Sequence, residues 1–130
     1  MKLGATLYIQ NTLEAVPFYM DAFGLTLGYH EFFPDGTYLH AALLKDGQEV
    51  FAVSESQNDA MVSLMLAANQ TDARPTMSYG IDFATKAEID HAYALLTQGG
   101  AILHAIGPLP WCDYCADVVD KYGVYWYLYQ

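Results

Sequence analysis

The chain contains four histidines, of which His40 is the best candidate for acid–base chemistry. The unperturbed pKa of an imidazole, about 6.5, lies close to neutral pH, so a histidine that faces a bound molecule can donate or accept a proton. The alternative for His40 is a buried histidine whose ring nitrogens are satisfied by its neighbours. The other three show no metal-ligand spacing to one another or to a carboxylate, and we expect surface or structural roles for them: His30, His91 and His104.

Two cysteines stand in a WCxxC arrangement, residues 111–115, which is the spacing of thioredoxin-type redox centres. That chemistry needs the first cysteine at the N-terminus of a helix, where the helix dipole lowers the pKa of the thiol. Here the pair follows Pro108 and Pro110 and enters a segment of β character. Because residues i and i+3 of a regular strand face opposite sides, we expect Cys112 and Cys115 to point apart. We interpret the motif as coincidental.

Aromatic residues are concentrated at the C-terminal end of the chain. Seven of them lie in the last 20 positions: Trp111, Tyr114, Tyr122, Tyr125, Trp126, Tyr127 and Tyr129. A buried tyrosine needs a partner for its hydroxyl, so such a cluster indicates a surface that is partly apolar and partly polar. Aromatic packing within a sheet or at an oligomer interface would explain the same composition.

These residues are positioned by elements whose order occurs twice. In the first half the hydrophobic pattern predicts a helix over residues 12–23 and four strands, at residues 3–9, 25–33, 37–45 and 49–54. In the second half it predicts a helix that Thr85 caps and that ends near residue 98, with strands at residues 77–85, 101–106, 112–119 and 122–129. Each half therefore follows the order β-α-β-β-β. A short helix, residues 59–68, is predicted in the connection between them.

Composition limits the class of protein. A chain of 130 residues favours a single domain over residues 1–130, with module one at about 1–56, a connection at 57–75 and module two at about 76–130. The net charge of −10 provides no basic footprint for nucleic acid or for an anionic membrane. No apolar run approaches the roughly 20 residues of a membrane span. Two cysteines cannot form a disulfide framework, so we expect a cytoplasmic protein.

Three stretches follow one another in a specific order along the chain: Phe18-Tyr19 with Ala22-Phe23-Gly24, the YLHAAL segment at residues 38–43, and Pro110-Trp111 with Asp113, Asp120–Gly123 and Trp126. In that order they resemble the vicinal-oxygen-chelate superfamily of glyoxalases, bleomycin-resistance proteins and dioxygenases, and within it the PhnB-like branch. The resemblance covers nearly the whole chain. It implies an α+β fold in which two βαβββ modules form an open, cup-shaped barrel of mixed β-sheet with the helices outside. It also implies a homodimer.

The resemblance also locates the positions where a metal would be held. Metal-dependent members of the superfamily place His, Gln or Glu ligands on the first and last strand of each module. By counting along the matching motifs, these positions fall on Gly4, Ala52, Gly80 (or Tyr79 after a slip of one residue) and Tyr127. None of these side chains is a normal ligand for a divalent ion of this kind. We therefore expect no metal site and no cofactor.

The same positions predict what lines the cup, because side chains alternate along a strand and residues two apart point the same way. The predicted ligand-binding residues are Thr6, Tyr8, His40, Asp82, Trp111, Tyr125, Tyr127 and Tyr129. Such a wall combines apolar rings with a few hydroxyls and a carboxylate, as small-molecule pockets do. The alternative is that the tyrosines only fill the barrel.

Two functions follow from these observations. The favoured hypothesis is a metal-independent protein that binds a small, partly aromatic molecule in the cup. The alternative is an enzyme, lyase-like or dioxygenase-like, that acts through His40 and Asp82 or through a divalent metal bound in an atypical way.

Overall fold

The chain divides into two compact units, Met1–Val62 and Ser63–Gln130. The computed structural model describes residues 1–67 and 75–130. Each unit contains a four-stranded mixed sheet with a helix packed on one face, so the predicted α+β class and the two βαβββ modules are confirmed. Among the described residues, no helix is both long and apolar enough to cross a membrane.

Module one has the elements β1 (Thr6–Ile9), α1 (Thr12–Phe23), β2 (Thr26–Phe32), β3 (Tyr38–Lys45) and β4 (Gln48–Glu55). Its strands lie in the order β1-β4-β3-β2, with β1 parallel to β4 and the other pairs antiparallel. A second helix, α2 (Asp59–Ala67), follows where the short connecting helix was predicted. The last predicted residue of that helix, residue 68, lies outside the described residues.

Module two repeats this arrangement with β5 (Tyr79–Asp82), α3 (Lys86–Leu96), β6 (Ala101–Leu109), β7 (Cys112–Val119) and β8 (Tyr125–Tyr129). Its strands lie in the order β5-β8-β7-β6, and the single parallel pair is β5 with β8. The β-α-β-β-β repeat seen in the sequence is therefore also a repeat of sheet topology.

In module one, α1 packs its apolar stripe on one face of the sheet. Tyr19 is fully buried, stacks on Phe23 at a ring-centroid distance of 6.1 Å, and meets Phe51 of β4 edge to face at 5.8 Å. Leu7 and Ile9 are buried on the same side, whereas the residues between and before them on β1 face away from the helix. Burial of these large side chains stabilises the module. Because side chains alternate along a strand, the residues between them point to the face of the sheet opposite α1.

In module two, α3 covers the sheet face that carries Trp126 and Leu128, both of which are buried. Tyr114 of β7 lies on this face, since its hydroxyl donates a hydrogen bond to Asp90 of α3. After α3 ends at Leu96, the chain returns to the sheet and passes close to it at Gly100, where a Cβ atom would lie 2.4 Å from the carbonyl oxygen of Val119. A glycine is required there because any side chain would collide with backbone.

Several observed elements are shorter than predicted, and three ends show the difference most clearly. β1 begins at Thr6 rather than at residue 3, and β5 ends at Asp82 rather than at residue 85. The second difference has a clear cause, because Thr85 forms a capping box with Glu88 and so belongs to the start of α3. The last strand begins at Tyr125 rather than at residue 122, because the preceding residues form a turn on the buried carboxylate of Asp120.

Candidate functional site: the tyrosine face of module two

The sheet of module two has a second face, opposite α3, which we call the tyrosine face. Register places its residues in two rows across the four strands, taken in the order β5-β8-β7-β6. The first row is Gly80, Tyr127, Asp117 and His104, and the second is Asp82, Tyr129, Cys115 and Gly107. Tyr125 of β8 lies on the same face, two residues before Tyr127. The structure thus brings together five of the predicted ligand-binding residues: Asp82, Tyr125, Tyr127 and Tyr129 on this face, and Trp111, which hydrogen-bonds to Tyr127.

Two tyrosine rings form the centre of this face. The rings of Tyr127 and Tyr129 stack with their centroids 5.1 Å apart and their planes 24° apart. A Cβ atom on Gly80 would lie 3.5 Å from Cε1 of Tyr129 and 4.0 Å from Cδ1 of Tyr127, so the rings lie over the glycine at ordinary contact distance. Gly80 and Asp82 are exposed and both rings are half-buried, which leaves part of the surface accessible.

The hydroxyl of Tyr127 has a defined partner. Nε1 of Trp111 donates a hydrogen bond to it at 3.1 Å, although the Trp111 side chain is otherwise 72% exposed. Desolvation by burial raises the pKa of Tyr127 to about 12, and the hydrogen bond from Trp111 opposes that shift. This phenol is therefore neutral at physiological pH and can serve as a hydrogen-bonding group.

Deeper in the same face, the hydroxyl of Tyr125 donates a hydrogen bond to Oδ1 of Asp117 at 2.9 Å, and both side chains are buried. Asp117 was not singled out in the sequence. The signal that could have found it is its position two residues after Cys115 on β7, which alternation assigns to the tyrosine face.

The two cysteines do not point apart, so that prediction is wrong. Between the pairs Gly107–Cys115 and Leu109–Cys112, β6 advances two residues while β7 advances three. The extra residue is a β-bulge, which re-aims the side chains on one side of it. As a result the thiol of Cys112 lies within hydrogen-bonding reach of the Cys115 thiol, and both interact with Tyr127. Neither cysteine stands at a helix N-terminus, so the geometry gives no thioredoxin-type activation.

His104 was expected to be a surface or structural residue, and the register places it in the first row of the tyrosine face, beside Asp117. Its Nε2 atom is buried and has no hydrogen-bond partner among the described residues. A buried polar atom without a partner is unusual, and a ligand or an ordered water is a common reason for one. A bulge lies between Ile102 and His104, and nothing in the sequence pointed to this side chain because it has no metal-ligand spacing to other residues.

The other predicted residues lie in module one. Thr6 and Tyr8 face away from α1 as expected, and Tyr8 is 70% exposed. His40 is half-buried and pairs across β2 and β3 with Glu31. The ring of Tyr29 lies 6.0 Å from the His40 ring, and the Tyr29 hydroxyl donates a hydrogen bond to Glu31. Neither Tyr29 nor Glu31 was predicted, because no motif in the sequence pointed to β2.

The strand register also tests the metal positions. In module two, Gly80 pairs directly with Tyr127, as the count predicted. In module one, Ala52 pairs with Thr6 rather than with Gly4, which precedes β1, so the equivalent position falls on Thr6. These four side chains do not fit a divalent metal, since they offer two hydroxyls and no imidazole or carboxylate. Among the described residues, no group of three His, Cys, Asp or Glu side chains could hold a metal ion.

Solved structures share this architecture. The PhnB protein of Bacillus cereus, described as a candidate 3-demethylubiquinone-9 3-methyltransferase, is 28% identical with a TM-score of 0.76, covering 99% of this chain and 98% of that one. A Pseudomonas aeruginosa protein is 22% identical with a TM-score of 0.71, covering 99% and 96%. A fosfomycin resistance protein of Listeria monocytogenes, solved with Mn(II) and 1S,2S-dihydroxypropylphosphonic acid, is 11% identical with a TM-score of 0.66, covering 99% and 90%.

No curated protein sequence matches the chain. A family model does match it, over residues 4–127, which is almost its entire length. The resemblance drawn from the sequence motifs is therefore confirmed, including its PhnB-like character. The chain belongs to the Glyoxalase/Bleomycin resistance protein/Dioxygenase superfamily.

Proposed function

We propose that this protein binds a small, partly aromatic molecule on the tyrosine face without the help of a metal ion. The observation that carries the proposal is the stacked pair of Tyr127 and Tyr129 lying over Gly80. At positions where metal-dependent members of the superfamily hold ligands to an ion, this chain has an aromatic ring and a glycine. The surface suits a flat organic molecule rather than a metal ion.

Polar groups around the rings would orient such a ligand. The phenol of Tyr127, the exposed carboxylate of Asp82 and the unpartnered Nε2 of His104 all lie on this face. A few placed polar groups on an apolar surface are typical of small-molecule sites. Stacking of an aromatic ligand on the tyrosine rings contributes on the order of 0.5–1.5 kcal/mol per ring pair beyond area burial.

The test is the substitution Tyr127→Ala, with binding measured by ligand-observed NMR and calorimetry against a library of planar aromatic fragments. Loss of one stacking surface and one hydroxyl should weaken binding about tenfold or more, which corresponds to roughly 1.4 kcal/mol. Tyr93→Ala is the matched control, because Tyr93 lies on α3 and not on the tyrosine face. Unchanged binding of every fragment by Tyr127→Ala would show that the tyrosines are only packing residues.

A separate measurement tests whether the protein holds a metal ion. Elemental analysis of the purified protein should find no stoichiometric divalent metal, because the four ligand positions carry Thr6, Ala52, Gly80 and Tyr127. About one zinc, nickel, manganese or iron per chain would contradict this part and favour an atypical metal site.

An enzyme remains the second candidate, and His104 rather than His40 is the observation that favours it. Asp82 and His40 belong to different units, whereas His104 and Asp117 are register neighbours on one face. A histidine beside a carboxylate, with one ring nitrogen unpartnered, is suited to proton transfer on a bound molecule. If it acts so, His104→Gln should lower turnover of a converted fragment far more than its binding.

A further inference from the structure

The charges on and around the tyrosine face are unevenly distributed. The carboxylate of Asp82 is exposed beside Tyr129, and the carboxylate of Asp117 lies in the neighbouring row. Among the described residues, no hydrogen bond or ion pair reaches the Asp82 carboxylate. The face thus presents negative charge and π-electron density together.

Three of the four described lysines have partners away from the tyrosine face, and the fourth, Lys2, belongs to the other unit. Lys45 donates to the carbonyl oxygens of Phe23 and Gly24 at the end of α1, and Lys121 lies over the ring of Tyr122. Lys86 forms an ion pair with Asp90 at 2.7 Å, and Lys2 precedes β1. Within the described part of module two, the tyrosine face therefore has acidic groups and no ammonium group to balance them.

The opposite face of the same sheet shows how this chain pairs a tyrosine and an aspartate with a cation. There the ammonium group of Lys86 lies 4.7 Å from the centroid of the Tyr114 ring while it is paired with Asp90, which also accepts the Tyr114 hydroxyl. On the tyrosine face, Tyr129 and Asp82 are register neighbours and supply the same two groups. The cation is the component that the described residues do not supply.

We propose that the tyrosine face selects an organic cation, a flat aromatic molecule that carries a quaternary or protonated nitrogen. This inference rests on the proposed function and specifies its ligand class. The positive nitrogen would lie beside the Asp82 carboxylate, and the rings of Tyr127 and Tyr129 would contact the flat body and add cation–π attraction. An anionic molecule of the same shape would meet the charge of Asp82 at close range and bind most weakly.

Three probes of matched size test the charge preference: N-methylquinolinium as the cation, N-methyl-2-quinolone as the neutral molecule and quinoline-2-carboxylate as the anion. Calorimetry at low salt should show the cation binding at least about fivefold tighter than the neutral probe, with the anion weakest. Asp82→Asn should remove most of that preference and leave the neutral probe unchanged. Asp46→Asn, in the β3–β4 turn of module one, makes the same change of net charge and should alter no affinity.

The outcomes separate this inference from the proposed function. If all three probes bind equally and Tyr127→Ala weakens all of them, the tyrosine face remains the binding surface and the charge preference is overturned. Equal effects of Asp82→Asn and Asp46→Asn on the cation would also overturn it, because the preference would then reflect net charge alone. If the probes bind and Tyr127→Ala changes none of their affinities, both the site and the inference fail.

Discussion

Tyr127 is half-buried, accepts a hydrogen bond from Trp111 and forms part of the candidate ligand surface. Its phenol has a pKa raised to about 12, chiefly by desolvation, against an ordinary value near 10. A folded-state pKa above the unfolded value favours the neutral form in the native protein. The stability that this phenol contributes is therefore complete below pH 10 and is lost as the pH rises from about 10 to about 12.

We expect the ultraviolet titration of the native protein to contain one phenol that ionises near pH 12 and that is missing in Tyr127→Phe. The phenylalanine keeps the stacked ring, so the difference between the two curves reports the hydroxyl alone. The free energy of unfolding of the parent should also fall more steeply between pH 10 and pH 12 than that of Tyr127→Phe. If the difference between the two curves shows that the Tyr127 phenol ionises near pH 10 instead, burial does not raise its pKa and the prediction is wrong.

Cys112 and Cys115 should differ in reactivity even though they are neighbours. Cys115 is fully buried and its pKa is raised by desolvation, so little thiolate is present near neutral pH. Cys112 is partly exposed. With N-ethylmaleimide at pH 7, mass spectrometry of the native protein should show modification at Cys112 first, and Cys112→Ser should be modified slowly. Equal rates for Cys112→Ser and Cys115→Ser would contradict this order.

Alternation along the strands predicted the directions of most site residues correctly. Thr6 and Tyr8 face away from α1, and Tyr125, Tyr127 and Tyr129 share one face with Asp82, because regular strands have a strict two-residue period. Alternation gave the wrong direction for Cys112, which stands beside a bulge in the β6–β7 pair. A bulge changes the parity of every residue beyond it, and its position depends on pairing with another strand, which no single strand's pattern contains.

At the scale of elements, the N-termini of α1 and α3 are capped in different ways. Thr85 caps α3 through its own side chain, in a capping box with Glu88 that lies within four residues of sequence. Asn11 occupies the same place before α1 and makes no side-chain cap. The backbone nitrogens of Asn11 and Thr12 instead donate to the carboxylate of Glu55 at the end of β4, at 3.1 and 2.9 Å. The first cap was predictable from local sequence, and the second depends on the fold.

Glu55→Ala should therefore destabilise the protein by about 1–2 kcal/mol, because it leaves two amide groups at the start of α1 without an acceptor and removes a favourable charge there. Urea unfolding measures the change. Asn11→Gly is the matched control, since Asn11 has a φ of 63° that glycine adopts freely and its side chain makes no cap. A loss for Asn11→Gly as large as that for Glu55→Ala would show that the carboxylate is not the cap.

The turn between β7 and β8 explains one of the motifs that carried the family resemblance. Asp120 is fully buried, and its carboxylate accepts hydrogen bonds from the backbone nitrogens of Tyr122 and Val124 and from Nε1 of Trp126. The segment Asp120–Gly123 and the tryptophan are therefore parts of one structural device, which fixes the start of β8. Because this turn joins β7 to β8, it sets which side chains of β8 lie beside Asp117 and Cys115.

At the scale of the whole molecule, the β-α-β-β-β repeat was visible in the sequence because each half has a helix with an apolar stripe that is followed within a few residues by a glycine. Because of the repeat, a position in one module identifies the equivalent position in the other. Thr6 and Gly80 are such a pair, since each lies six residues before the first residue of a helix. Counting along motifs misplaced the module-one position at Gly4, whereas the pairing of Thr6 with Ala52 identifies it directly. Pairing between distant strands carries information that spacing along the chain lacks.

A homodimer remains a prediction for the intact chain, from the family resemblance and from its many aromatic residues. In module one, β2 is an edge strand of its sheet and carries the exposed side chains of Tyr29 and Phe32. Apolar rings on an unpaired edge favour pairing with another chain unless something blocks the edge.

Sedimentation equilibrium at micromolar concentration should give about twice the chain mass of 14.4 kDa. If this edge forms the interface, Phe32→Glu should shift the protein towards the monomer. A single species of one chain mass for the parent would contradict the dimer, whereas a dimer that survives Phe32→Glu would place the interface on another surface.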